Sequence, residues 1–430
     1  MSQVHDAIAL GALSVQNDEI RDVFDPYIED LVKSCWYPDM TAKVRKTNPE
    51  DARFLYPSPP KTSWQTKLER MSLKHKFWTW CGNPPLNYVC LCGHYLRHAV
   101  RNLKAGDIES AVKFCGVYSH IIADIIEPGH AVFDWAIDIF APVSFQDASG
   151  EIYTNKECLK GPVDIKGYCP KLLGKNIKQA EMAAVTEIIK GSRFGAALAI
   201  PLEKSLYAGK IKEARRLHSR AQNESARQFA DFIHTAFHLA RHKNKDFDYC
   251  LDLCKHPFIT AEISCFCRFR PLVDVFLDPF SFLNSTENRY ILKTKPLALL
   301  SKDGRKIERV HGLCVMPKDI RSEATVDYLL VPGAYNRFSA RVGFNPTFKK
   351  SLSFITAVFT VLGDGKELAR SKPVKPGEPP VHMQAELGRT RFLTLSMRYS
   401  GRFSSEERET FGSCTSAAHG VWAEPVLYSE

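Results

Sequence analysis

The stretch GVYSHIIADIIEPGHAV, residues 116–132, decides how the amino-terminal part of the chain folds. His120 and Asp124 are four positions apart, so on a helix they lie on the same face, one turn apart. The side chains around them are mostly apolar, which predicts a buried helix. Pro128 and Gly129 then end the helix, and this break places His130 outside the helical register.

The same stretch predicts a metal site. An imidazole and a carboxylate buried without partners cost free energy, and a divalent cation offsets that cost. His120 and Asp124 can share one ion, and His130 can serve a second, nearby ion. The alternative is a core histidine that is satisfied by ordinary hydrogen bonds.

The longer run from Gly93 to Val132 resembles the central helices of the zinc-dependent phospholipase C family. That family is related to the fungal single-strand-specific nucleases and to the amino-terminal domain of glycosylphosphatidylinositol-specific phospholipase D. Its signature is His, three residues, Asp, five residues, His, preceded by two helices joined by a short polar turn, which here is 104–107. The resemblance implies an all-α domain that binds one to three zinc ions and hydrolyses a phosphodiester.

The resemblance also implies ligands outside this run. His5 stands near the start of the first predicted helix, Asp39 follows Trp-Tyr-Pro, and His75 precedes His120 at a separation similar to that in the family. The implied metal ligands are His5, Asp39, His75, His120, Asp124 and His130. Among these, Asp39 and Asp124 are the candidate catalytic carboxylates, and Asp124 bridges two ions. For His5 and His75 the alternative is a surface or packing histidine.

The chain departs from the family at the second metal site. The family continues with His, three residues, Glu, but no histidine occurs between His130 and His218. Candidate replacements are Asp134, Asp138 and Glu157, and none of them matches the motif. The second site therefore uses carboxylates or is incomplete.

Length and composition limit the classes of protein. A chain of 430 residues exceeds the usual size of one hydrophobic core, so two domains are expected. The sequence contains no run of 18 apolar residues, so no transmembrane helix is expected.

The amino terminus lacks the basic segment of a signal peptide. This predicts an intracellular protein unless a leader is missing, although relatives are commonly secreted. A net charge of +10 suits anionic partners, although the basic residues are scattered.

The hydrophobic period changes from helical to strand-like along the chain. Residues 268–290 are rich in turn formers, and short strands follow, with turns at Asp303-Gly304, Asn345-Pro346 and Asp364-Gly365. The predicted fold is therefore multidomain α + β. It comprises an all-α domain over 1–275, a linker over 276–289 and a β-sandwich over 290–430.

The region from about 290 to 428 resembles the NPCBM type of carbohydrate-binding module, a galactose-binding-like jelly roll. The matching pieces follow in the same order: GRKIERVHGLCV, FSARVGFNP, FTVLGDGKELARS, LTLSMRY and HGVWAEPVL. The resemblance implies glycan binding at loops, by aromatic faces paired with polar side chains. The candidates are Trp422, Tyr335, Arg337 and His311, and the alternative for Trp422 is a core position in the last strand.

Thirteen cysteines are an odd number, so at least one thiol lacks a partner within the chain. The densest cluster is Cys250, Cys254, Cys265 and Cys267. Its spacing is not a standard zinc pattern. Buried free thiols are therefore expected rather than a structural metal or disulfides.

Three functions follow from these patterns. The first is a metal-dependent phosphodiesterase of the phospholipase C type that acts on a phospholipid or related phosphodiester, with the module for targeting. The second is a single-strand nuclease of the same superfamily. The third is a non-catalytic glycan- or lipid-binding protein with a degenerate metal site. The sequence contains no serine nucleophile elbow, P-loop or GxGxxG fingerprint, so acyl transfer and nucleotide chemistry have no support.

Overall fold

The chain divides into two compact units, Met1–Phe247 and Asp248–Glu430. The computed structural model describes residues 4–55, 86–129, 131, 162–241, 250–256, 260–262, 272–277, 294–317, 320–346, 355–400 and 419–429. Within these ranges the regular elements of the first unit are all helices and those of the second are all strands. The predicted α + β architecture is therefore confirmed.

Helices of 7 to 31 residues build the first unit. They are α1 Val4–Ser14, α2 Asp18–Phe24, α3 Ile28–Ser34, α4 Thr41–Thr47, α5 Leu86–Ala105, α6 Ile108–Ile126, α7 Ile177–Tyr207 and α8 Ile211–Arg241, with 3-10 turns at Asp25–Tyr27 and Pro49–Phe54. None of the helices in the described ranges has the length and hydropathy that crossing a bilayer requires.

Helix α6 is the centre of the first unit, as the apolar stretch predicts. It contacts α1, α3, α5, α7 and α8, and most of its side chains are buried. Asp107 caps its amino-terminal end, where the Asp107 carboxylate accepts a hydrogen bond from the backbone N–H of Ser110 at 3.1 Å. The helix ends at Ile126, just before Pro128.

A glycine in α6 allows α3 to approach closely. A Cβ atom built on Gly116 would lie 1.9 Å from Ser34 Oγ and 2.6 Å from the carbonyl oxygen of Leu31. The two helices are therefore in backbone contact at this point. The approach also brings the turn that follows α3 towards the middle of α6.

Two antiparallel sheets form the second unit. Its strands are β1 Leu251–Asp252, β2 Thr260–Glu262, β3 Leu272–Val273, β4 Val275–Leu277, β5 Thr294–Pro296, β6 Ala298–Leu300, β7 Lys306–Glu308, β8 Gly312–Val315, β9 Glu323–Leu329, β10 Arg337–Phe344, β11 Thr356–Gly363, β12 Lys366–Arg370, β13 Val381–Glu386, β14 Phe392–Ser400 and β15 Gly420–Tyr428. One sheet has the order β13-β10-β15-β8-β3, with β1 also paired to β15, and the other has the order β12-β11-β14-β9-β2. Strands β4 and β5, and β6 and β7, form separate two-stranded ribbons.

Aromatic side chains join the two sheets into a sandwich. Phe359 of β11 meets Trp422 of β15 edge to face, with ring centroids 5.4 Å apart. Phe338 of β10 packs against the same tryptophan at 6.0 Å, and all three side chains are fully buried. The Asp364-Gly365 turn joins β11 to β12 with positive φ at both residues, as a tight hairpin requires.

The structure differs from the predicted domain boundary at residue 275. Strands β1 to β4 all precede residue 278, and they belong to the second unit. Leu251 pairs with Leu427, Thr260 with Asp327 and Leu272 with Cys314. Strands of two or three residues are too short to show a period of two, which explains why the sequence pattern places the boundary too late. Residues 278–289 of the predicted linker lie outside the described residues.

Candidate metal centre

Three segments of the first unit bring four of the predicted ligands together. His5 lies on α1, Asp39 follows α3, and His120 and Asp124 lie on α6. Donor atoms of His5, Asp39 and His120 are all within 4.8 Å of one another. Residues that are far apart in the chain therefore converge on one small volume.

Asp124 faces both imidazoles. Its Oδ2 lies 3.1 Å from His120 Nε2, and its Oδ1 lies 3.8 Å from His5 Nε2. The two imidazole rings stack, with centroids 4.2 Å apart and an angle of 21° between their planes. Each carboxylate oxygen thus meets a different ring nitrogen, which is the arrangement that a bridging ligand needs.

Trp36 ties α1 to the turn that carries Asp39. Its indole N–H donates to the Asp6 carboxylate at 2.7 Å, and its ring packs edge-on against His5 at 5.3 Å. Asp39 Oδ1 then lies 3.5 Å from His120 Nε2. The indole therefore holds His5 and Asp39 on the same side of α6.

The electrostatics of the centre favour a positive charge at its middle. Burial lowers the pKa of His120, but the hydrogen bond and negative charge of Asp124, together with the charge of Asp39, outweigh burial, and the net pKa is raised. The His120 side chain is 4% exposed and that of Asp39 is 53% exposed. The centre is therefore closed on the His120 side and open to solvent on the Asp39 side.

The donor set fits zinc. Two imidazole nitrogens and two carboxylates are ligands that Zn²⁺ accepts, at bond lengths of about 2.0–2.2 Å. Tetrahedral ligands at such lengths lie roughly 3.3–3.6 Å apart. Three pairs of donor atoms here, His120–Asp124, His120–Asp39 and His5–Asp124, are 3.1, 3.5 and 3.8 Å apart. His5, Asp39 and His120 would hold the ion, and Asp124, which meets both imidazoles, would complete the donor set.

The other predicted ligands, His75 and His130, lie outside the described residues, so their roles stay predictions. The same holds for the proposed replacements Asp134, Asp138 and Glu157.

A cluster of three buried ionisable residues, Glu127, Glu203 and His218, lies beside the helix break and was not predicted from the sequence. Glu127 Oε1 lies 3.8 Å from His218 Nε2, and both residues are buried. Burial raises the pKa of Glu203, and the charge of Glu127 raises it further. These residues come from the end of α6, from α8 and from α7 and share no motif. The signal available in the sequence was the helical spacing that puts His218 on the apolar face of α8.

The structure corrects two of the predicted carbohydrate-binding residues. Trp422 and Tyr335 are buried, so neither offers a ring face to a sugar, and Trp422 takes the core position named as its alternative. The physical reason is that Trp422 points between the two sheets. Arg337 is half-exposed and pairs with Glu386 at 3.0 Å, and both ring nitrogens of His311 contact carboxylates.

A comparison with protein-family models finds a match within the second unit. Residues 311–427 match the family model described as NPCBM/NEW2 domain. This match confirms the predicted resemblance to a carbohydrate-binding module in that region. A search of curated protein sequences finds no match to the chain.

Solved structures show weaker similarity. The CBM51-2 and INT domains of ZmpB from Clostridium perfringens, in complex with GlcNAc, are 15% identical over 42% of this chain and 32% of that chain, with a TM-score of 0.31. The match thus spans about a third of that structure. CBM51 of Clostridium perfringens GH95, in complex with methyl-galactose, is 14% identical over 42% of this chain and 99% of that chain, with a TM-score of 0.29.

Alpha toxin from Clostridium absonum is 10% identical over 100% of this chain and 92% of that chain, with a TM-score of 0.37. TM-scores of this size are too low to support an argument about fold or activity.

Proposed function

We propose that the protein is a metal-dependent phosphodiesterase of the phospholipase C type, and that its NPCBM-like unit binds a glycan and so targets the enzyme. The substrate is a phospholipid or a related phosphodiester. The observation that carries the proposal is the convergence of His5, Asp39, His120 and Asp124 from three separate segments. The assignment as a phosphodiesterase rests in addition on the sequence resemblance of residues 93–132 to the zinc-dependent phospholipase C family.

Each side chain has a separate task in this proposal. Zinc, when bound, neutralises phosphoryl oxygens and lowers the pKa of its water to about 7. His5 and His120 supply neutral nitrogen donors, and Asp124 supplies the shared carboxylate. Asp39 is the most exposed of the four, so it faces the side from which substrate arrives and can accept a proton there. The net charge of +10 suits an anionic substrate.

A second candidate, a non-catalytic lipid- or glycan-binding protein, is favoured by one observation. The family's second His-x-x-x-Glu motif is absent from this sequence. A single-strand nuclease is the third candidate, and only the choice of substrate separates it from a phospholipase.

The test compares hydrolysis by the parent protein, Asp124→Asn and Asp107→Asn, each supplied with zinc. The substrates are phosphatidylcholine vesicles, single-stranded DNA and a small chromogenic phosphodiester. Asp124→Asn should reduce turnover at least about 100-fold, because an amide oxygen is a weaker zinc ligand than a carboxylate. Asp107→Asn is the matched control: it changes the same atoms at the start of the same helix, and asparagine caps helices as well as aspartate does.

Each outcome decides between the candidates. Cleavage of vesicles supports the phospholipase proposal, and cleavage of DNA without cleavage of lipid supports the nuclease. The absence of turnover on all three substrates supports the non-catalytic protein. Equal turnover in Asp124→Asn and the parent would overturn the assignment of the site.

A further inference from the structure

A second group of metal-ligand side chains lies within the β-sandwich unit. Donor atoms of Asp252, Cys254 and His311 are all within 4.8 Å of one another. Asp252 ends β1, Cys254 follows it by two residues, and His311 directly precedes β8. All three are half-buried, so an ion can reach them from solvent.

His311 lies between two carboxylates. Its Nδ1 is 2.8 Å from Asp274 Oδ1, and its Nε2 is 2.9 Å from Asp252 Oδ2. Asp274 is itself fixed, because its carboxylate accepts a hydrogen bond from the Gly312 N–H at 2.8 Å. A neutral imidazole carries one N–H, so a ring that donates to Asp274 presents a lone pair to Asp252. That lone pair and the carboxylate oxygen repel each other, and a cation bound between them removes the repulsion.

The remaining contacts orient the other two ligands. Asp252 Oδ1 accepts a hydrogen bond from the Cys254 N–H at 2.9 Å, which turns the chain so that the thiol and the carboxylate share one side. Lys255 Nζ lies 3.2 Å from Asp252 Oδ2, but the lysine side chain is 78% exposed. Exposed ion pairs of this kind are weak, so Lys255 can yield to a metal ion.

We propose that Asp252, Cys254 and His311 bind a divalent transition metal ion, zinc foremost. Asp274 is a positioning residue that holds His311 in the tautomer with Nε2 free for the metal, as carboxylates behind zinc-binding histidines commonly do. One oxygen, one sulfur and one nitrogen ligand leave a fourth tetrahedral position for water. Binding displaces the thiol proton of Cys254 to solvent. The ion would link β1 to β8, two strands that both pair with β15.

Cobalt titration of the whole 430-residue chain tests this site separately from the amino-terminal centre. A cysteine thiolate bound to Co²⁺ gives an intense near-ultraviolet charge-transfer band. The amino-terminal centre contains no cysteine among His5, Asp39, His120 and Asp124, so it gives no such band. The parent protein should show a band whose intensity at saturation corresponds to one thiolate-bound cobalt ion per chain, and the band should disappear when zinc is added.

Three variants locate the signal. Cys254→Ser should abolish the band, because it removes the thiolate ligand. Cys250→Ser is the matched control and should retain the band: Cys250 is an exposed cysteine four positions away that is not one of the proposed ligands. Asp274→Asn should keep the band but weaken cobalt affinity about 10–100-fold. Asparagine is tolerated at the positive φ of 61° that this position adopts. Zinc should raise the melting temperature of the parent by more than that of Cys254→Ser, in which only the amino-terminal centre can bind the ion.

A different result would overturn the proposal. The alternative is a protonated His311 that bridges Asp252 and Asp274 without any metal. In that case the parent shows no charge-transfer band, and zinc raises the melting temperatures of the parent and Cys254→Ser by the same amount. A band that survives Cys254→Ser would also contradict the proposal, since it would come from other cysteines.

Discussion

At the scale of single residues, the candidate metal centre depends on Asp124. It meets His120 at 3.1 Å and His5 at 3.8 Å through different oxygens, so one side chain organises both imidazoles. The same carboxylate, with Asp39, raises the pKa of His120 against the effect of burial. Protons and metal ions therefore compete for this position.

Asp231, a buried acid on α8, makes the stability of the first unit depend on pH. Burial raises the pKa of Asp231 to about 6, although it accepts hydrogen bonds from Tyr168 Oη and the Lys171 N–H. Between pH 4 and pH 6 the folded state therefore keeps a proton that the unfolded state has released. The free energy of unfolding should fall as pH rises through this window, by roughly 1–3 kcal/mol.

Asp231→Asn should remove this pH dependence, because an amide keeps the acceptor oxygen without the charge. The measurement is urea unfolding of parent and variant at pH 4 and pH 7. The variant should gain stability relative to the parent at the higher pH. An identical pH profile in both proteins would mean that Asp231 titrates as it does in water.

The residues of the centre differ in how far the sequence predicts them. His120 and Asp124 follow from a spacing of four positions on an apolar helix. No local pattern brings His5 or Asp39 to that helix, since their approach depends on how α1 and α3 pack, and only the family resemblance named them. Trp422 was named as a candidate sugar-binding residue, but it is buried. An aromatic residue in a strand carries no sequence signal that separates a core ring from an exposed one.

At the scale of elements, the contact between α3 and α6 positions Asp39. Gly116→Ala would place a Cβ 2.6 Å from the Leu31 carbonyl oxygen, so the helices would have to separate. The variant should lose roughly 1–3 kcal/mol of stability, as overpacked cores do. It should also bind zinc less tightly, because Asp39 lies in the turn that follows α3.

Thermal unfolding and zinc titration of Gly116→Ala check this expectation. Adding Ser34→Ala removes the contact with Ser34 Oγ but leaves the backbone contact, so it should restore stability only in part. Full recovery in the double variant would mean that the helices are not in backbone contact.

At the scale of the whole molecule, the second unit begins earlier than its sequence pattern indicates. Strands β1, β2 and β3 pair with β15, β9 and β8, so both sheets include residues from 251–273. Five of the seven strands from β9 onward have seven to nine residues, long enough to show a period of two, whereas β1 to β4 have only two or three. A short strand can be identified only from the strand with which it pairs, and the strands that pair with β1, β2 and β3 are distant in sequence.

This extended boundary predicts the behaviour of two fragments. A fragment of residues 248–430 should fold with a cooperative melting transition, because it contains every strand of both sheets among the described residues. A fragment of residues 290–430 lacks β1 to β4 and exposes unpaired edges of β15, β9 and β8, so it should melt at lower temperature or aggregate. Equal melting temperatures would show that the early strands contribute little.

The amount of zinc bound per chain tests the central claim most directly. The claim is that His5, Asp39, His120 and Asp124 form a metal centre. Parent protein, Asp124→Asn and Asp107→Asn are loaded with zinc, dialysed against metal-free buffer and analysed for metal content. The expected result is that Asp124→Asn retains at least one zinc ion per chain fewer than the parent, while Asp107→Asn matches the parent. Equal zinc in all three proteins would contradict the claim.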